Sequence, residues 1–469
     1  MKRNFLKLVS LMKLSFVHIL SLILTLAVTI LPGVYAARKI KSADDYNVGG
    51  RSAGVGMVAG SIIGTIVGGA ATVGTAQLGY KLGLTAWWFT LGSGIALIIM
   101  AIFYAVPLRR SSLTTVSEFL VGNYGKVAGP FTSISASAGI FFSIVASTLT
   151  ALSLVSGLFN VSMETSGMIV LGLTVAIVFF GGISGAGMAG LLKILLIFAT
   201  IFVGGVLCYF DLGQWQGLQA AFPAHPWFSL FGRGVEDGLF SLASMIVGVI
   251  STQSYIQSIF SAKDSKTAAA GCIAAALVVI PVGLPSVMIG MFMSVQHPEI
   301  NSIDALPMYL ATYLPDWLGG IGLGAIMISA LGSLSGLALG VGTMISRDLV
   351  KNLWKNASSV NLLWASRISV LLVSACAIIF VFFHLDSSVL EWNYLSMALR
   401  GSGIFLPLTF AVFFPGKVNR KFGIMAIIGG IAVACLWKYV APWKINGLFP
   451  ALACNLLFLI PGLLIKDKK

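Results

Sequence analysis

Two basic side chains lie deep inside apolar stretches of this sequence, and both need a chemical explanation. Lys193 lies in GGISGAGMAGLLKILLIFATIF, residues 181–202, and Arg400 lies in NYLSMALRGSGIFLPL. A charge near the centre of a bilayer costs between about 3 and more than 10 kcal/mol, so such residues are paired and often mark substrate or ion pathways. Both are therefore candidates for a functional site, and their roles depend on the helices that position them.

The composition identifies an integral membrane protein. Of the 469 residues, 58% are hydrophobic and only 9% are charged, whereas soluble domains carry roughly 25% charged residues. The lipid bilayer is thus the expected environment. The net charge of +14 follows from membrane topology, as shown below, and no nucleic-acid partner is expected.

The apolar segments predict an all-α polytopic membrane protein. A hydrocarbon core about 30 Å thick needs roughly 20 apolar residues per helix. The sequence holds about thirteen such segments, separated by turn signals such as PLRRSS, AKDSK and PGKVNRK. They are centred near residues 26, 66, 95, 142, 173, 198, 248, 280, 330, 372, 402, 430 and 456.

Basic residues in the connecting loops predict the orientation. With a cytoplasmic C-terminus, the inner loops hold 18 lysines and arginines and the outer loops hold 4. This asymmetry predicts an outside N-terminus and a multi-pass protein of the cell (cytoplasmic) membrane. The basic residues before the first span conflict with it, and a long signal peptide ending in VYA or a start at Met12 are open alternatives.

A series of motifs resembles the sodium:solute symporter family. Residues 41–74 contain a basic loop, DDY, GGRS and a glycine-rich helix, and further matches follow in the same order over nearly the whole chain. These further motifs are LTTVSEFL, QSYIQSIFSAKDSKTAAAG, ALPMYLATYLPDWLGGI, ISALGSLSGLALGVGTMISRDLVK and a GxxxP run that ends at Pro407.

The resemblance implies a LeuT-like fold with two inverted five-helix repeats. Its predicted division is an N-terminal helix and cytoplasmic loop (1–52), a first repeat (53–209), an extracellular loop (210–235), a second repeat (236–414) and two C-terminal helices (415–469). Small or polar residues interrupt the first helix of each repeat, which is typical of a binding site at the membrane midplane. The alternative is that the glycines only allow close helix packing. The interrupting residues are Gly64, Thr65, Gly68 and Gly69, and Ser244, Gly248, Ser251 and Thr252.

The resemblance also implies where a coupling cation would bind. In the family, sodium lies between the broken second helix and the ninth helix. The matching ligands here would be the carbonyls of Gly64, Val67 and Ser329 and the hydroxyl of Ser333, whereas Gly332 lacks the adjacent hydroxyl.

The sixth helix departs from the family pattern at two positions. Gly190 stands where relatives commonly have aspartate, and Lys193 stands where they have glutamine. An ammonium repels sodium, but its N–H groups can replace the ion, as in some proton-coupled LeuT-fold transporters. Because burial makes an ammonium easier to deprotonate, Lys193 could also load and release a proton. The alternative is that Lys193 reaches the cytoplasmic edge of the membrane and is structural.

The substrate side of the site contains Arg400. One interpretation is that its guanidinium binds a carboxylate of the solute; the other is that it caps carbonyls of a broken helix. A small carboxylic acid or amino acid is favoured over a sugar, because the cavity predicted by resemblance has few aromatic and amide groups. Further candidate contacts are Gly68, Gln77, Ser143, Ser147, Thr252 and Gln253.

These observations predict a secondary active transporter rather than an enzyme, with no cofactor beyond Na⁺ or H⁺ as the coupling ion. The expected partner is a small organic solute, and a monomer is expected to suffice for transport. Three alternatives stay open: a standard sodium-coupled symporter with a structural Lys193, an uncoupled facilitator, and a solute-binding membrane sensor without transport.

Overall fold

The protein is described by a computed structural model that covers residues 14–37, 42–176, 182–385, 387–440 and 446–465. The predicted N-terminal basic segment lies outside these residues. The described chain is almost entirely helical. Its helices of eight or more residues are α1 (Phe16–Ala37), α2 (Val55–Ile66), α3 (Thr75–Leu82), α4 (Trp88–Ile99), α5 (Val116–Tyr124), α6 (Ala128–Phe159), α7 (Met163–Thr174), α8 (Gly182–Ile197), α9 (Val203–Asp211), α10 (Gln214–Ala221), α11 (Val235–Ile250), α12 (Gln253–Ser261), α13 (Ser265–Gln296), α14 (Ala305–Thr312), α15 (Asp316–Met344), α16 (Ser359–Phe382), α17 (Val389–Phe413), α18 (Arg420–Val440) and α19 (Leu448–Leu464).

The helices confirm the polytopic all-α fold predicted from the apolar segments. Within the described residues, 8 helices are long and apolar enough to cross a membrane, or 9 if one bent pair forms a single span. Each of the thirteen predicted centres falls in a helical segment, but several of these helices are short. The count of thirteen spans, the orientation and the repeat boundaries therefore stay predictions.

Two helices are broken near their middle, at the positions where the sequence places small and polar residues. The helix α2 ends at Ile66, Val67 has non-helical backbone angles, and the chain resumes in a π-helical turn at Ala70–Gly74. The helices α11 and α12 meet at an angle of 44° across Ser251 and Thr252. Both breaks free backbone carbonyls that a continuous helix would use internally.

A glycine contact brings α8 against the first broken helix. A Cβ atom added at Gly190 would lie 2.9 Å from the backbone of Gly60 and of Gly64. A side chain therefore fits at position 190 only if the two helices separate. A glycine at position 190 is thus a packing requirement, and the close approach places Lys193 one turn further along the same helix.

Replacing Gly190 with alanine is expected to lower the melting temperature of the detergent-solubilised protein by several degrees. Alanine favours a helix over glycine by about 1 kcal/mol, so helix propensity alone would raise the melting temperature. A lower melting temperature would therefore report the lost contact between α8 and α2. Gly172→Ala is the matched control, because a Cβ atom there has no heavy atom within 4 Å, and its melting temperature should not fall. Equal melting temperatures for the two variants would contradict the close packing.

Candidate functional site

Lys193 lies at the break after α2, where its ammonium contacts the freed carbonyls. The Nζ atom donates to Gly64 O at 2.8 Å and to Val67 O at 2.6 Å. The side chain is 1% exposed, so it is buried inside the protein. Burial of a charge is costly unless it is paired and hydrogen-bonded, and here the partners are carbonyl dipoles rather than an acid. The ammonium therefore contacts the two carbonyls, of Gly64 and Val67, that the sequence analysis predicted for a coupling cation, and that cation site stays a prediction.

The helix α15 closes this site from the other side with two hydroxyl groups. Ser329 Oγ donates to Val67 O at 2.6 Å, and Ser333 Oγ donates to Thr65 O. Ser329 was predicted to contribute its carbonyl, and the structure shows that its hydroxyl also reaches the break. We refer to Lys193, Gly64, Val67, Ser329 and Ser333 as the carbonyl cage.

Gly332 and Gly68 determine the space around the cage. A Cβ atom at Gly332 would lie 3.4 Å from Gly64 O and 3.6 Å from Lys193 Nζ, so any longer side chain there would compete for the space around the ammonium. A Cβ atom at Gly68 would overlap the Ser333 side chain. Gly68 was predicted to line the substrate cavity, and in this structure it packs directly against α15.

Arg400 is completely buried on α17, away from any acidic partner among the described contacts. Its Nη2 atom donates to Ser143 Oγ on α6 at 2.8 Å and lies 3.0 Å from Met397 Sδ. The Nε and Nη1 atoms have no hydrogen-bond partner in the described part of the chain. Because a guanidinium is always charged and offers a planar set of donors, each of these two N–H groups is able to donate to an anion, although they point to different sides of the guanidinium.

The neighbours of Arg400 come from α6, from α12 and from its own helix α17. Ser143 Oγ is also 2.8 Å from Ser396 Oγ and 3.0 Å from Asn393 Oδ1. Tyr255 of α12 lies near enough to interact electrostatically with the guanidinium. Arg400 therefore lies beside the second broken helix, but the hydrogen bonds of its guanidinium go to side chains and not to the carbonyls of that break.

The remaining predicted substrate contacts are dispersed. Thr252 donates to Gly248 O at 2.6 Å across the second break, and Ser147 is buried on α6 one turn from Ser143. Gln77 accepts from Val389 N at 3.3 Å, at the start of α17. Gln253 accepts from Val116 N at 2.9 Å and donates to Thr114 O at 3.0 Å. Its amide thus holds the start of α5, and among the described hydrogen bonds neither Gln253 nor Gln77 is paired with Arg400.

Sequence reasoning missed two polar groups that the fold places near these helices. Asn393 shares a helix face with Ser396 and Arg400, and the spacing of three and four residues was a usable signal. Asp348 is buried in the π-helical turn Ile345–Val350 that follows α15, where it accepts from Thr115 Oγ1 at 3.0 Å and Ser133 Oγ at 2.6 Å. It lies inside the quoted ISRDLVK motif, but only the tertiary structure reveals its partners.

The chain matches a known family over most of its length. The profile of the sodium:solute symporter family matches residues 46–430, more than half of the chain. The chain belongs to this family. The sequence resemblance is thereby confirmed, and the protein is a transporter rather than an enzyme.

The relatives of this symporter-family chain carry different solutes. It is 25% identical over 392 residues to the high-affinity choline transporter 1 of Drosophila melanogaster, covering 77% of this chain and 61% of that protein. It is 26% identical to the sodium/proline symporter of Haemophilus influenzae, covering 94% of this chain and 92% of that one. The present chain thus spans about three fifths of the length of the fruit-fly transporter and nearly all of the length of the bacterial symporter.

A solved structure supports the fold of this family member. A Na⁺-coupled sialic acid symporter in a substrate-bound, outward-open state superimposes with a TM-score of 0.81 and 19% sequence identity, covering 96% of this chain and 97% of that one. The LeuT-like architecture predicted by resemblance is therefore confirmed at the level of the fold.

Proposed function

We propose that this protein is a secondary active transporter for a small carboxylate-bearing solute in which Lys193 takes the place of the coupling sodium ion. The observation that carries the proposal is the pair of hydrogen bonds from Lys193 Nζ to Gly64 O and Val67 O. These are the carbonyls that the family resemblance assigns to sodium.

The chemistry of the carbonyl cage favours the ammonium over the ion. A sodium ion bound at these carbonyls would lie within a few ångströms of a buried positive charge, and that repulsion grows as the local dielectric constant falls. The missing hydroxyl at Gly332 removes one oxygen ligand and leaves room for Nζ. Deprotonation of Lys193 would empty the cage of its charge, so a proton can perform the cycle that sodium performs in relatives.

The solute class follows from Arg400. The Nε and Nη1 donors of this buried guanidinium have no partner among the described residues, and a carboxylate is a strong acceptor for such charge-assisted hydrogen bonds. The surrounding hydroxyl and amide groups of Ser143, Ser396 and Asn393 are few. Such a site suits a small acid or amino acid better than a sugar with many hydroxyls.

Uptake into proteoliposomes under separately imposed gradients tests the proposed coupling. We expect a panel of small carboxylates to include a solute that accumulates under an inward proton gradient and without sodium. Accumulation that requires a sodium gradient would contradict the proposal. It would favour standard sodium coupling, as in the related sodium/proline symporter and the Na⁺-coupled sialic acid symporter. Equilibration without accumulation would indicate a facilitator, and binding without flux would indicate a sensor.

A further inference from the structure

Two buried glutamines tie the half-helices that follow the two breaks to the first residues of other helices. Gln77 lies in α3, which continues the first broken helix, and Gln253 begins α12, which continues the second. The oxygen of Gln77 accepts from Val389 N at 3.3 Å, and that of Gln253 accepts from Val116 N at 2.9 Å. We call the Gln253 contact the inner tie and the Gln77 contact the outer tie, after the side of the membrane that each faces under the predicted orientation.

The N–H groups that the two glutamines bind are groups that a helix cannot satisfy by itself. Val116 is the first residue of α5, and Val389 is the first residue of α17. The first four N–H groups of an α-helix have no partner within the helix, and both valines are completely buried. Each amide therefore supplies an acceptor that the packed arrangement needs. Gln253 also donates to Thr114 O at 3.0 Å, so the inner tie has two hydrogen bonds.

The two ties lie towards opposite ends of α13, a helix long and apolar enough to cross the membrane. The helix α12 ends at Ser261, and α13 begins a few residues later at Ser265. The helix α3 instead reaches the far end of α13, where Tyr80 Oη donates to His297 O at 2.8 Å. The half-helices that carry the inner and outer ties thus extend from the two breaks towards opposite faces of the protein.

Close packing accompanies each tie, and the carbonyl cage between them is buried. On the inner side, Ser258 Oγ of α12 lies 2.8 Å from Ser61 Oγ of α2, and Ser258 is completely buried. On the outer side, a Cβ atom added at Gly74 would lie 3.0 Å from Val389 Cγ1. Lys193 in the cage is 1% exposed. Access to the cage from either side therefore requires helices to separate.

We propose that Gln253 and Gln77 are positioning residues for alternating access, with Gln253 holding the inner route closed and Gln77 holding the outer route closed. A route opens when the half-helix on its side moves away from its partner helix, so each opening breaks one tie and leaves the other intact. The inference goes beyond the proposed function, because it needs neither the role of Lys193 nor the identity of the solute. Loss of the two amides should shift the conformational equilibrium in opposite directions.

Thiol labelling of the full chain in detergent measures the two openings without a solute. Ser258→Cys reports the inner route and Val389→Cys reports the outer route, and protein without the added cysteine gives the background from the native cysteines. The probe is sodium 2-sulfonatoethyl methanethiosulfonate, whose negative charge restricts it to thiols that water can reach. We expect Gln253→Met, which removes the amide and keeps the side-chain length, to raise the labelling rate at Ser258→Cys by about 10-fold. The rate at Val389→Cys should stay the same or fall.

Gln77→Met is the matched counterpart, with the opposite expectation. It should raise the labelling rate at Val389→Cys by about 3-fold, because one longer hydrogen bond is lost, and it should not raise the rate at Ser258→Cys. Gln253→Asn keeps an amide but is one methylene shorter, so it should act in the same direction as Gln253→Met even if the methionine variant does not fold. Equal rises at both reporters, or no rise at either, would overturn the opposed ties. The proposed function would survive that result, because uptake tests it separately.

Discussion

Replacing Lys193 with methionine is expected to lower solute uptake by about 100-fold, whether or not sodium is present. Methionine preserves the apolar stem but removes the Nζ donor from Gly64 O and Val67 O, 2.8 and 2.6 Å away, and Val67 O keeps only the Ser329 hydroxyl among the donors described here. Each buried acceptor left unsatisfied costs about 1–3 kcal/mol, and about 1.4 kcal/mol corresponds to a factor of ten. Initial rates of uptake in proteoliposomes, at equal protein content, measure the effect.

Control variants distinguish the role of the Lys193 ammonium from the effect of replacing a lysine elsewhere in the chain. Lys126 is exposed between α5 and α6, so Lys126→Met should transport normally. The double variant Lys193→Gln with Gly332→Ser removes the ammonium and supplies a hydroxyl near Gly64 O, and we expect its residual uptake to be stimulated by sodium. Sodium-driven uptake that is the same in the wild type and in Lys193→Met would show that Lys193 is structural.

Replacing Arg400 with glutamine is expected to reduce kcat/KM for a carboxylate solute by about 100-fold. The loss combines the charged hydrogen bonds to the substrate with the weaker hydrogen bonding of a neutral amide. A solute in which an amide replaces the carboxylate should lose far less, because it cannot form the ionic pair. Comparing the two solutes in the wild type and in Arg400→Gln isolates the carboxylate contact.

A second variant separates substrate binding from packing at this position. Arg400→Lys keeps the charge but loses the planar guanidinium with its fixed Nε and Nη1 donors, so its kcat/KM should lie between those of the wild type and Arg400→Gln. Arg367, near the start of α16, provides a control arginine whose conversion to glutamine should leave the ratio for the two solutes unchanged. Normal uptake of the carboxylate by Arg400→Gln would contradict its proposed role.

The helices and the positions of their breaks could be predicted from sequence because both depend on local composition. Long apolar segments must satisfy their backbone polar groups internally, so they form helices in a membrane. Glycine and hydroxyl residues near 64–69 and 248–252 weaken those helices, and the structure interrupts them at 67–69 and at 251–252. Composition alone does not determine the number of spans, because a short apolar helix such as α2 is not long enough to cross a bilayer by itself.

What the sequence by itself determined is that Lys193 and Arg400 are expensive charges in apolar helices and that neither has an acidic neighbour along the chain. Only the tertiary structure decided their partners. The glycine contact at Gly190 brings α8 close enough for Lys193 to reach the freed carbonyls. The crossing of α6 and α17 gives Nη2 of Arg400 a partner in Ser143 and leaves its Nε and Nη1 without one among the described residues. Such contacts are fixed by helix packing, which no local pattern encodes.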